Sequence, residues 1–203
     1  MMPTTTDPVP EHRNRFAYWI GRIFHPYVVC IPTLFAVLYD LTLRNAVVWS
    51  MLVLILVLVP GISMIVYLRR QDRWVYQRQT RGPIYAVVWA SVLFCLIVLL
   101  VLDAPDVLAA CIATLCVWVP VQWLINYFVT KISTHMAVIG GCGTALWWLG
   151  ILDTPVLQLA VIGIALLTMW SRIETKNHTL AQVMLGLLVG SGSVLVAFPL
   201  LLG

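Results

Sequence analysis

Seven long apolar runs divide this sequence, several of them near the ~20 residues needed to cross a hydrocarbon core. In lipid a segment must satisfy its own backbone hydrogen bonds, and the runs lack the alternation of barrel strands, so each is expected to be a helix. The composition agrees: 62% of the 203 residues are hydrophobic and 10% are charged, against roughly a quarter charged in soluble domains. The expected fold is all-α, a polytopic transmembrane helical bundle of about six to seven spans. It forms a single domain over residues 23–203, after a polar tail and interfacial amphipathic segment in residues 1–22.

Residues 1–10 hold Pro3, Pro8, Pro10 and three threonines and read as a disordered tail. In 11–24, Arg13, Arg15 and Arg22 interleave with Phe16, Tyr18, Trp19, Ile20 and Ile23, which suits a helix at headgroup level. Spans are expected over 26–43, 46–68, 84–102 and 107–129, then from the polar residues 131–135 to about 152, then over 155–170 and 179–202. Pro26 suits a first helical position, whereas Pro32 and Pro60-Gly61 mark bends. Gly186 and Gly190, and Gly140, Gly141 and Gly143, mark places where helix backbones approach. Cys30, Cys95, Cys111, Cys116 and Cys142 form no Cys-x-x-Cys pair and read as packing residues. No signal-peptide pattern precedes the first span, which is expected to stay. Trp49, Trp74, Trp147, Trp148 and Trp170 lie near expected helix ends, as an aromatic belt does.

Parity adds a constraint. The loops after the second, fourth and sixth spans emerge on one membrane face together with the N-terminus, and these loops are three polar islands, 69–83, 131–135 and 171–182. Eleven of the twelve Lys and Arg fall on that face, leaving Arg44 opposite; with four acids on each side, the formal charges are +7 and −3. The positive-inside rule makes the island face cytoplasmic, as in the inner or plasma membrane of a prokaryote. Gln122, Asn126 and Thr130, four apart, stack on one inward face, with Gln122 and Asn126 either a helix–helix contact or the base of a pocket.

Ionisable groups at a membrane boundary cost several kcal/mol unless hydrated or paired, so three such islands on one face call for a ligand. Phosphoryl transfer needs cations around the phosphate oxygens, a nucleophile and an acid for the leaving oxygen. The islands offer arginine forks, the point charge of Lys131, and two imidazoles, His135 and His178, each able to act as nucleophile or proton donor. With no carboxylate or thiolate cluster in the sequence suited to a metal, charge neutralisation falls to side chains and no cofactor is expected.

Ser171-Arg172, five residues, His178, three residues and Gln182 resemble the S-R-x5-H-x3-D motif of the type 2 phosphatidic-acid phosphatase superfamily. Lys131-Ile132-Ser133-Thr134-His135 resembles its P-S-G-H motif, and Arg73 to Arg81-Gly82-Pro83 loosely resembles K-x6-R-P, with one residue too many and a glycine before the proline. The resemblance implies a metal-independent lipid phosphatase acting on a lipid phosphate or isoprenoid (di)phosphate. In it His178 would form a phosphohistidine and His135 would protonate the leaving alcohol. Arg172, Lys131 and one or two of Arg73, Arg78 and Arg81 would hold the phosphate, with Ser133 adding a hydrogen bond. Gln182 stands where the family has a histidine-orienting aspartate: its carbonyl accepts a ring N–H but brings no charge to an imidazolium. Glu174 is a second candidate for that role, and Thr134 replaces the family's glycine.

The implied partners are a membrane lipid phosphate and the bilayer, not nucleic acid, with the lipid tail entering sideways between helices. Gln182 also motivates a different expectation, a catalytically impaired protein that binds or scaffolds phosphate lipids. A transporter or haem bundle fits less well, because the histidines lie at helix boundaries. As helix-end anchors, the same residues would carry no chemistry. His25, before Pro26, falls outside the motifs and reads as interfacial.

Overall fold

The computed structural model describes residues 14–71 and 82–203. Among them the chain forms eight helices and no strand: α1 (Arg15–Ile23), α2 (Pro26–Val37), α3 (Leu43–Arg70), α4 (Gly82–Val101), α5 (Asp106–Phe128), α6 (Thr134–Trp148), α7 (Pro155–Glu174) and α8 (Leu180–Leu202). Six stretches are long and apolar enough to cross a membrane: α1 with α2 as one, then α3, α4, α5, α7 and α8. The chain is an all-helical integral membrane protein. α6, with 15 residues, is about 22 Å long, shorter than a hydrocarbon core.

Local chemistry sets the helix ends. Asn14 Oδ1 accepts from the N–H groups of Phe16 and Ala17 at 3.1 and 3.2 Å and starts α1. Thr42 caps α3 through Asn45 N–H at 3.4 Å, so α3 begins at Leu43, and α2 stops at Val37 rather than reaching 43. Thr154-Pro155 opens α7 with a capping side chain and a proline in the first turn. α7 then runs to Glu174, a turn beyond the expected 170, which puts Ser171 and Arg172 on a helix rather than in a loop. The expected fifth span shortens to α6, after which Gly150 turns the chain at φ 70°. Helices α2, α3, α5 and α8 continue through Pro32, Pro60, Pro120 and Pro199.

The most extensive pairing is α6 against α8, followed by α5 against α8 and the sequential pairs α4–α5 and α3–α4. α6 and α8 run parallel, with Gly186 on Ser133 and Gly190 on Ala137. A β-carbon on Gly186 would stand 2.5 Å from the Ser133 carbonyl oxygen, and one on Gly140 would stand 2.7 Å from that of Leu187. Only glycine allows backbones this close, as the small-residue spacing predicts. Val53, Val92, Leu99 and Leu108 make one buried core across α3, α4 and α5; Ala110, Ala145, Val194 and Phe198 make another across α5, α6 and α8. Val156, Leu159, Leu188 and Leu200 remain between 64% and 77% exposed, a surface suited to lipid rather than water.

Candidate functional site

Two buried amides begin the site. Gln122 and Asn126, each 3% exposed, must find partners in the apolar interior. Gln122 Nε2 donates to Tyr85 Oη at 3.1 Å and to Thr134 Oγ1 at 3.0 Å. Asn126 Nδ2 donates to Tyr85 Oη at 2.6 Å, and its Oδ1 accepts Ile132 N–H at 3.1 Å. The inward stack is thus a helix–helix contact joining the start of α4, the end of α5 and the start of α6. The Ser133 N–H then donates to the Gln182 carbonyl at 3.2 Å, tying the second island to the third.

The third island folds back on itself. The N–H groups of Asn177 and His178 both donate to the Arg172 carbonyl at 3.2 Å, and Lys176 adopts φ 54° to make the turn. Thr179 and Gln182 form a reciprocal capping box at the start of α8: Gln182 N–H donates to Thr179 Oγ1 at 3.4 Å, and Thr179 N–H to Gln182 Oε1 at 3.2 Å. The same Oε1 lies 3.3 Å from His178 Nδ1, placed to accept its proton, while Gln182 Nε2 donates to Thr130 Oγ1 at 3.1 Å. Gln182 therefore starts the helix, bridges to the α5–α6 connection and orients the His178 ring. Glu174 is exposed at the end of α7, and Gln182 takes the ring contact proposed for it.

His135, in the first turn of α6, faces this island. Its ring lies edge-on to that of His25 with centroids 5.2 Å apart, and its Nε2 is 3.3 Å from the Gly21 carbonyl oxygen. Burial first, and then the charges of Arg172, His25 and His178, disfavour the protonated form of this ring. The cluster is covered by α1. Ser171 Oγ, wholly buried, donates to the Ala17 carbonyl at 2.6 Å. A β-carbon on Gly21 would lie 2.9 Å from Ser171 Oγ and 3.4 Å from Arg172 Nη1. The buried face of α1, Ala17, Ile20 and Gly21, rests on the end of α7, while Phe16, Trp19 and Ile23 point outward.

Of the expected site residues, the structure brings His135, Arg172, His178 and Gln182 together. Ser133 adjoins them through its backbone; its side chain is fully buried, and its hydroxyl has no hydrogen-bond partner among the described residues. Such an orphan costs about 1–3 kcal/mol unless a ligand supplies the partner. Lys131 is half-buried in the α5–α6 connection. Arg73, Arg78 and Arg81, with Asp72 and Trp74, lie outside the described residues, as do 1–13 and the expected tail.

Sequence reasoning left His25 outside the motifs, as an interfacial residue. It caps α2, its Nδ1 accepting Tyr27 N–H at 3.4 Å, and is held against His135 instead of standing alone at the interface. The signal was the His-Pro pair, a polar cap before a proline at a helix start. It also passed over the Thr-x-x-Gln spacing of the capping box, which shows that Gln182 has a structural task alongside any catalytic one. Comparisons with protein-family models, with curated proteins and with solved structures returned no match.

Proposed function

We propose that this chain is a membrane-embedded lipid phosphatase that hydrolyses a lipid phosphate or isoprenoid (di)phosphate without a metal, through a phosphohistidine. The observation that carries this reading is the contact of His178 Nδ1 with Gln182 Oε1 at 3.3 Å, in a turn whose His178 N–H donates to the Arg172 carbonyl. A nucleophilic imidazole needs one nitrogen fixed by an acceptor so that the other is basic and aimed. With Nδ1 turned to Gln182, Nε2 is the attacking atom.

In the proposed reaction, His178 Nε2 forms a bond to phosphorus as the bond to the ester oxygen breaks. His135, protonated as the charge of the bound phosphate offsets the burial and the Arg172 charge that disfavour its imidazolium, gives a proton to the departing alcohol. Water then attacks the phosphohistidine, His135 takes a proton from it, and inorganic phosphate leaves. The guanidinium of Arg172 binds two phosphate oxygens at once, Lys131 adds charge, and the Ser133 hydroxyl gains its missing partner. Arg73, Arg78 and Arg81 belong to the same proposal. The Gly21 carbonyl, 3.3 Å from His135 Nε2, marks where the leaving oxygen would stand in this reaction. The excess of basic residues at this end supports a cytoplasmic orientation.

A second reading is favoured by one observation: the capping box and the Thr130 contact account for Gln182 without catalysis. On that reading the chain binds phosphate lipids and turns none over. A phosphate-release screen in EDTA over phosphatidic acid, phosphatidylglycerol phosphate and polyprenyl (di)phosphates separates the two. Release from at least one lipid is expected. Binding of the same lipids with no release would replace the enzyme reading by the scaffold one.

A further inference from the structure

His25 lies outside the motifs, yet its ring packs on the residue proposed as the acid. The ring centroids of His25 and His135 are 5.2 Å apart with the planes at 81°, an edge-to-face pair. Both side chains are half-buried, at the starts of two helices, α2 and α6, that pack on each other. The His25 side of the pair is fixed by its own backbone. Pro26 confines residue 25 to extended geometry, here φ −65° and ψ 143°. Its N–H donates to the Arg22 carbonyl at 3.3 Å, and its carbonyl accepts from the N–H groups of Val28 and Val29 at 2.8 and 3.0 Å. Its Nδ1 accepts Tyr27 N–H at 3.4 Å, and the Tyr27 ring lies 5.0 Å away between centroids. A ring nitrogen that accepts carries no proton, so the cap also sets the tautomer of His25, with the proton of the neutral ring on Nε2.

His135 has no comparable anchor. Among the described residues its ring makes one hydrogen-bond contact, Nε2 with the Gly21 carbonyl oxygen at 3.3 Å, longer than the usual ~2.7–3.2 Å. In the proposed reaction the leaving oxygen stands where that carbonyl is, so the contact is gone when the proton moves. The side chain could then turn about both of its torsions. What still meets the ring is His25. We infer that His25 is a positioning residue for the acid: its ring, fixed by the α2 cap, packs against the His135 imidazole and keeps Nε2 aimed at the leaving oxygen. The inference rests on the proposed phosphatase reading and adds to it a third imidazole, one that touches neither the phosphate nor the leaving group. Its influence falls on the proton transfers of His135 and not on the attack by His178.

Two substitutions in the full-length protein, in phosphatidylcholine nanodiscs, separate ring from cap. His25→Asn keeps a capping oxygen and removes the ring, whereas His25→Phe keeps a ring and removes the cap. With dodecyl phosphate, whose alcohol needs a proton to leave, His25→Asn should lower kcat by about 10- to 100-fold with KM little changed, the scale of a misdirected acid. His25→Phe should recover most of that loss. The first-turnover burst of nitrophenolate from p-nitrophenyl phosphate, a leaving group that departs as its anion, should be unchanged in both. Undiminished kcat in His25→Asn, or equal losses in the two variants, would overturn the inference. So would a burst that falls in step with kcat for dodecyl phosphate, because that marks general distortion of the site.

A second readout needs no turnover. The chain has four histidines, His12, His25, His135 and His178, few enough for their ring-nitrogen NMR signals to be assigned by single substitutions in isotopically labelled protein. His135 should give narrow ring signals, with Nε2 protonated, in the native chain and in His25→Phe, and exchange-broadened ones in His25→Asn. Narrow signals retained in His25→Asn would overturn the positioning role and leave the phosphatase reading untouched. Broadening in His25→Asn, together with no phosphate release from the native chain on any lipid of the screen, would reject the phosphatase and keep His25 as the residue that orders the His135 ring.

Discussion

Substituting Gly190→Ala tests whether the α6–α8 seam sets the site geometry. The added β-carbon would collide with the Ala137 carbonyl oxygen and lie 2.6 Å from its carbonyl carbon and 2.8 Å from its Cα, where ordinary contact begins at 3.4 Å. Those are backbone atoms of a helix and cannot rotate away, so the two helices must part by at least about 0.8 Å, the difference between 3.4 and 2.6 Å, and by more to clear the carbonyl oxygen. The Ser133 N–H···Gln182 carbonyl bond, at 3.2 Å, would stretch to about 4 Å and be lost if the shift carried to the start of α8. Overpacking of this kind costs about 1–3 kcal/mol. A displacement near 1 Å between His135 and His178 lowers turnover by up to about 100-fold. Gly192→Ala is the matched control, because a β-carbon there meets nothing within 4 Å; it should leave turnover intact and stabilise α8 by up to about 1 kcal/mol. Phosphate release per folded molecule and thermal unfolding in detergent report both effects. If Gly190→Ala behaves like Gly192→Ala, close approach at this seam is not what positions the histidines.

Two further substitutions probe the polar network. Gln182→Glu retains the capping box and adds a carboxylate beside His178 Nδ1; hydrogen bonds to charged groups are worth about 1 kcal/mol more than neutral ones, so turnover should rise roughly fivefold in a phosphate-release assay. Asn126→Leu strands the Ile132 N–H, which sits in a residue 1% exposed. It should destabilise the protein by about 1–3 kcal/mol in thermal unfolding, while Asn126→Asp, keeping Oδ1, recovers part of that loss.

Much of this arrangement is legible in the sequence because membrane physics is severe. Apolar runs near span length define the helices, and polar islands after alternate spans must share an end, as the bonds joining the start of α4 to the second and third islands, from Tyr85, Asn126, Ser133 and Gln182, show among the described residues. Boundaries were less legible where a cap competed with hydrophobicity. Thr42 and Gly150 cut apolar stretches short, whereas α7 extended through Ser171 and Arg172 because their side chains found partners and neighbours on α1. The cover supplied by α1 was not readable at all. Its pattern of arginines and aromatics fits an interfacial helix, and only the small residues Ala17 and Gly21 hinted that it docks on α7. His25 enters the cluster for the same reason, since docking of α1 fixes the start of α2 beside α6.

The proposed chemistry meets its most direct test in trapping the covalent intermediate. Brief incubation with a radiolabelled lipid phosphate in EDTA, then alkaline quenching and peptide mapping, should yield an acid-labile phosphoryl group on His178. It should be absent from His178→Ala and should accumulate in His135→Ala whenever an activated leaving group bypasses the need for the acid. Phosphate release undiminished in His178→Ala, or label carried on any other residue, would contradict the assignment of His178 as nucleophile.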